Sequence, residues 1–240
     1  MLGRFLEISL HTPDIRESLA FYESLGFVQA PVGEAIRYPY AVVTDGRLFL
    51  GLHGEALPSP AVTFVMPRLM HGIDQLEQQL GIEFEDLKLG NEVFNRASFR
   101  DPSGQYVNVF EARTFSPPPF ETPPATTCGY FAELGLPARE QGPMRVFWEA
   151  LGFVAWEEES EPFARTAITS DHLNLSLYRS RAFRHPLLTF EDRDMRERLT
   201  RLRERGFQLS DEMPDSLDES CNAILLAPEG TRLLLLQSDN

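Results

Sequence analysis

Two carboxylates carry the first chemical signal. Glu7 stands 14 residues before Phe21 and Glu133 stands 14 before Phe147, and each interrupts an otherwise apolar run, FLEISL and YFAELGL. A carboxylate on an apolar strand must be paired or hydrogen-bonded, and burial raises its pKa. Such a group can serve as a general base or anchor a ligand's cationic or hydroxyl group. It can equally be a structural remnant tied to an arginine or to backbone amides. Of the five histidines, His53 ends the alternating run RLFLGLH and shares one strand face with Phe49 and Gly51. His11, His53, His71, His172 and His185 never fall one helical turn apart, so no metal-binding helix motif is present.

The two glutamates are equivalent because the chain repeats itself. FYESLGFV at 21–28 returns as FWEALGFV at 147–154, and DPSG at 101–104 returns as APEG at 227–230, both 126 residues apart. A duplicated domain follows. Within each copy a finer period appears. Four helical stretches end at Gly26, Gly81, Gly152 and Gly206, each followed by an apolar residue. Glycine is the residue that adopts the left-handed helix cap cheaply. Thr12-Pro13-Asp14 reads as the start of the first helix, with Thr12 as its cap. Each quarter therefore reads as a strand, a helix and about three strands, with DPSG and APEG as turns between final strands. Phe21, Tyr22, Phe147 and Trp148 are expected to pack helix against sheet. Residues 191–206 read as a mixed-charge amphipathic helix with Met195, Leu199 and Leu202 inward.

The expected boundaries are a first domain over 1–113, a linker over 114–126 rich in proline, and a second domain over 127–240. Net charge is −14, and both halves are acidic: 9 basic and 15 acidic residues through position 120, then 13 and 21. No basic face is evident, so nucleic acid is not expected as a partner. No apolar run approaches a membrane span, and nothing resembles a signal peptide. Cys128 and Cys221 form no disulfide framework, although a bridge between them is conceivable, and a reducing cytoplasm is expected. Lys88 is the lone lysine against 21 arginines, which fits codon usage in a GC-rich bacterium.

The order of these pieces resembles the vicinal oxygen chelate superfamily, the group of glyoxalases, bleomycin-resistance proteins and extradiol dioxygenases. The resemblance rests on Glu7 in a leading strand, on the PDIRESLAFYESLGF helix (13–27), on DPSGQYVN (101–108), and on the four units in order. It implies an α+β fold of four strand-helix-strands (βαβββ) units, paired into two half-open curled-sheet domains with helices outside and a ligand cavity within. Catalytic members hold a divalent metal in that cavity through His, Glu or Gln side chains. Carried over one at a time, those positions fall in the first domain on Glu7, Gly51, Ala61 or Val62, and Asn108. In the second they fall on Glu133, Ser176, Leu187 and Leu234. Neither set can hold a metal tightly, so no metal and no cofactor are expected. The alternative is a divalent metal in the N-terminal domain, held weakly by Glu7, His53 and Asn108.

By the same resemblance Phe49, His53, Tyr106, Asn108 and Phe110 line the first cavity with Glu7. Glu133, Ser176 and Tyr178 line the second, beside greasy Leu187, Leu234 and Leu236. The function expected is binding of a small organic molecule without a tightly held metal. The alternative is a divergent lyase, isomerase or dioxygenase using Glu7 with His53. A third option leaves one domain inert. The chain already contains four units, so a monomer is expected.

Overall fold

The glycines that close the helices set the chain's rhythm. Gly26, Gly81, Gly152 and Gly206 all adopt left-handed φ, between 63° and 101°, in the computed structural model. The structure describes residues 2–32, 38–112, 125–210 and 212–238. The first unit is β1 (Arg4–His11), α1 (Ile15–Ser24), β2 (Val28–Ala30), β3 (Tyr40–Thr44) and β4 (Phe49–His53). The second is β5 (Ala61–Met66), α2 (Leu69–Leu80), β6 (Phe84–Lys88), β7 (Arg96–Arg100) and β8 (Tyr106–Glu111). The third is β9 (Tyr130–Pro137), α3 (Gln141–Ala150), β10 (Val154–Glu159), β11 (Arg165–Thr169) and β12 (Asn174–Tyr178). The fourth is β13 (Leu187–Asp192), α4 (Met195–Glu204), β14 (Leu209–Ser210), β15 (Ala223–Leu226) and β16 (Arg232–Gln237). The cap of α1 is Asp14 rather than Thr12: its carboxylate accepts from the Arg16 and Glu17 amides, while the Thr12 hydroxyl turns to the His53 carbonyl.

Units pair edge to edge. The first sheet runs β2-β3-β4-β1-β5-β8-β7-β6 and the second β10-β11-β12-β9-β13-β16-β15-β14. In each, the leading strands of the two units meet antiparallel at the centre, and neither sheet closes into a barrel. Alternation then sorts the side chains. Ile8, Leu10, Leu50, Leu52, Val62, Phe64, Val107 and Val109 face the helices and are buried. The opposite parity, Glu7, Ser9, Phe49, Gly51, His53, Thr63, Tyr106, Asn108 and Phe110, forms the concave face.

The domains share one apolar core that spans both sheets. Phe27 meets Phe190 at 6.0 Å, Phe21 meets Phe207 at 5.8 Å, and Phe99 meets Phe147 at 6.2 Å between ring centres. Tyr22 and Trp148 pack into this core as expected, but their polar ends cross to the other domain. The Tyr22 hydroxyl donates to Glu229 (2.6 Å) and the Trp148 indole donates to Asp101 (3.2 Å). Most of the linker, residues 114–124, lies outside the described residues. Beyond it, Thr126 is already fixed by a bridge to Gly129, and its carbonyl accepts from Arg198. Both cysteines are free, and Cys128 is buried.

Candidate functional site

The Glu7 side chain leans diagonally across Gly51, toward the end of β4. Its Oε1 accepts from the Ser9 hydroxyl (2.7 Å) and lies 2.7 Å from His53 Nε2, and its Oε2 accepts from the Tyr40 hydroxyl (2.5 Å). Gly51 makes this possible, because a Cβ there would stand 2.1 Å from Oε1. Further bonds extend the network. Tyr38 Oη is 2.9 Å from His53 Nδ1, Ser9 Oγ is 2.7 Å from Thr63 Oγ1, and Asn108 Nδ2 donates to Thr63 Oγ1 at 3.3 Å.

For an ionised Glu7 and a neutral His53 ring, one proton pattern satisfies every bond: Nε2 donates to Glu7, and Nδ1 accepts from Tyr38. Burial and the nearby Glu55 and Glu7 charges raise the Tyr38 pKa, which keeps that hydroxyl a donor. Burial and Glu7 push the Tyr40 pKa up strongly, to the same effect. The one Ser9 proton points to Glu7, so Thr63 donates to Ser9 and Asn108 donates to Thr63. Every bond in the chain runs toward Glu7. Asn108 Oδ1 has no partner among the described residues.

Burial is layered. Glu7, Ser9, His53 and Thr63 are buried, while Tyr38, Tyr40, Phe49, Tyr106, Asn108 and Phe110 are half-buried. Tyr106 is held from behind by its bond to Ser98 (2.7 Å). The structure thus assembles the expected first-domain set, Glu7, Phe49, His53, Tyr106, Asn108 and Phe110, on one face. It adds Tyr38, Tyr40, Ser9 and Thr63. Ser9 could have been placed by its parity with Glu7. The tyrosines lack any local signal, because the antiparallel pairing of β3 with β4 is what sets Tyr40 beside His53.

The register corrects one position. Opposite Glu7 stands Thr63, not Ala61 or Val62, because a bulge between Phe5 and Glu7 shifts the pairing. In the second sheet Thr189, not Leu187, stands opposite Glu133. The first set is then Glu7, Gly51, Thr63 and Asn108, one strong donor already bonded by three protein groups. Among the described residues no three His, Cys, Asp or Glu side chains cluster as metal ligands. The residues do not fit a tightly held divalent metal.

The second concavity is built differently. Tyr178 takes the place of His53, and its ring covers Gly135, which takes the place of Ser9; a Cβ on Gly135 would stand 2.2 Å from that ring. The Tyr178 hydroxyl reaches Glu133 (2.7 Å) and Thr189 (2.7 Å), and Arg165 approaches Glu133 at 3.4 Å. Burial outweighs Arg165 and raises the Glu133 pKa. Ser176 is buried against the Thr166 carbonyl. Phe163, Phe183 and Leu217, from three loops, then pack over Tyr178, Leu187, Leu234 and Leu236 as a second apolar cluster. Glu133, Ser176 and Tyr178 come together, but beneath this layer.

Solved structures match the chain almost end to end. A catechol 2,3-dioxygenase superposes with a TM-score of 0.60 at 13% identity, over 97% of this chain and 86% of that one. A Mn(II)-bound glyoxalase from Novosphingobium aromaticivorans gives 0.59 at 11%, over 97% and 81%. A homoprotocatechuate 2,3-dioxygenase variant from B. fuscum gives 0.60 at 16%, over 99% and 72%. This is the vicinal oxygen chelate fold. No protein-family model and no curated protein sequence matches the chain. At these identities the vicinal oxygen chelate likeness establishes architecture: four βαβββ units in two curled sheets, in the order expected. Among the described residues no helix is long and apolar enough to cross a membrane.

Proposed function

We propose that the concave face of the first domain binds a small organic molecule without a tightly held metal. The observation that carries this reading is the one-way chain of hydrogen bonds that ends on Glu7. It satisfies Glu7 inside the protein and leaves Asn108 Oδ1 as an acceptor on the same face as the half-buried rings of Phe49, Tyr106 and Phe110. An apolar, aromatic wall with one or two fixed polar groups is the usual make-up of a ligand site. The ligand this suits has a planar or apolar body and a hydroxyl or amine donor. The filled concavity of the second domain supports a division of labour, in which that half completes the fold.

A second reading has its own support. Tyr38, half-buried, touches His53, which touches buried Glu7, and such a relay can carry a proton inward from a bound substrate. It would make the chain a lyase or isomerase with Glu7 as final base.

Elemental mass spectrometry on protein purified without an affinity tag tests the metal-free part. No stoichiometric divalent metal is expected, before or after incubation with zinc, nickel, manganese and ferrous iron. One bound metal per chain overturns it. Native mass spectrometry of protein from cell extract tests the site. A retained small molecule should be lost in Asn108→Leu, which copies Leu234 of the second domain. For any substrate so identified, Glu7→Gln separates the readings: a binder loses modest affinity, whereas an enzyme loses several powers of ten in turnover.

A further inference from the structure

A cluster of four arginines lies away from this site. Arg139, which follows β9, and Arg179, Arg181 and Arg184, on the loop after β12, open onto one cleft of about 1080 Å³. The opposite wall is Pro102 and Ser103, from the β7–β8 turn of the first domain, so the cleft exists only between docked domains.

Its composition runs against the rest of the molecule. In a chain with 36 acidic and 22 basic residues, this cleft gathers four arginines and a single acid, Glu140. Arg179 is held by Glu158 at 2.7 Å. Arg139, Arg181 and Arg184 have no hydrogen bond or ion pair among the described residues. Solvating surface charge is normally of mixed sign, and the helix α4 of this same chain follows that pattern with its Glu197–Arg201 pair. Three unpartnered guanidinium groups around one hollow instead raise the local positive potential, which is strengthened by low-dielectric walls. Buried Phe183 and Met144 form such a wall.

We propose that this interdomain cleft binds a small organic anion: an apolar body, seated against Pro102, Pro137 and Pro143, bearing a phosphate or carboxylate group. Guanidinium groups match both oxyanions with paired parallel hydrogen bonds, which a lysine cannot offer. The volume suits a small molecule rather than a polymer. The proposal does not depend on the first-domain site.

Isothermal titration calorimetry of the full chain with phenyl phosphate and with benzoate, at low and at 150 mM salt, tests it. One site per chain is expected for at least one anion, weaker at the higher salt. The anion that binds tighter identifies the group. The triple variant R139Q/R181Q/R184Q removes side chains that bond to nothing among the described residues, so its circular dichroism and melting should match the parent. Its affinity should fall tenfold or more, while Asn108→Leu should leave binding unchanged. Failure of both anions to bind, equal binding by the triple variant, loss of binding in Asn108→Leu, or binding only to a long polyanion such as heparin overturns the proposal.

Discussion

The Glu7 carboxylate occupies the space that a side chain at Gly51 would fill. A Cβ at position 51 would meet Oε1 at 2.1 Å and Oε2 at 2.3 Å. The vacancy at one expected ligand position is therefore what lets the surviving acid fold back onto His53 and Tyr40. An absent side chain and a buried carboxylate are two halves of one arrangement.

Gly51→Ala should uncouple them. The Glu7 carboxylate is the flexible end of its side chain, but three donors hold it in place. Displacing it leaves those buried donors unsatisfied, a loss of about 1–3 kcal/mol. In a Glu7→Ala background the same change no longer meets the carboxylate and should cost much less. Urea unfolding of the four proteins gives the coupling directly, and simple additivity would sink the argument.

The second domain offers the mirror experiment. Gly135 lies under the Tyr178 ring where Ser9 lies beside His53, and that ring is rigid and fully buried. Gly135→Ser alone should destabilise by roughly 1–3 kcal/mol, because the Cβ cannot be accommodated without moving the ring. Adding Tyr178→His, which recreates the first domain's combination, should recover part of the loss despite the packing it removes. Thermal melts of the single and double variants check this; a double variant worse than the sum of its singles refutes it.

Much of this architecture is legible in the chain because strand alternation and helix-closing glycines are local. RLFLGLH alone places Phe49, Gly51 and His53 on one face, and the 126-residue repeat gives the domain count. What stays hidden depends on pairing between distant segments. Tyr40 reaches Glu7 only through the β3–β4–β1 order, and the bulge at Phe5/Glu7 moves Thr63 into the place assigned to Ala61 or Val62. Phe163, Phe183 and Leu217 lie in loops with no periodicity, so nothing local announces that they fill the second concavity. Asp101 reads as a turn residue, and only the docked domains make it an acceptor for Trp148.

That contact should make the two domains unfold as a single cooperative unit. The chain has two tryptophans, and Trp148 is fully buried in the shared core whereas Trp156 is exposed. In Trp156→Phe, the remaining fluorescence reports the interdomain contact alone. Its change on denaturation should coincide with the loss of far-ultraviolet dichroism in one transition. An earlier fluorescence change would mean that the domains part before they unfold. Tyr22→Phe, which deletes the bond to Glu229, should shift that single transition by about 1–3 kcal/mol without splitting it.

Glu133 should leave a mark on the pH dependence of stability. Burial raises its folded pKa even with Arg165 and the Tyr178 hydroxyl acting the other way. Between the ordinary carboxylate value, about 4.3, and the raised folded value, the native state binds more protons than the unfolded chain. Stability therefore falls as pH rises through that window. Glu133→Gln keeps the shape and removes the titration, and Arg165 retains Glu159 at 3.0 Å and Glu191 at 3.7 Å. Asp101, whose pKa burial also raises, contributes equally to both proteins and cancels. The melting temperature of the variant minus that of the parent should therefore climb between pH 4 and pH 8, whatever its sign at the start. Parallel curves in differential scanning calorimetry, or a difference that shrinks with pH, would mean that Glu133 is ionised as readily inside the fold as outside it.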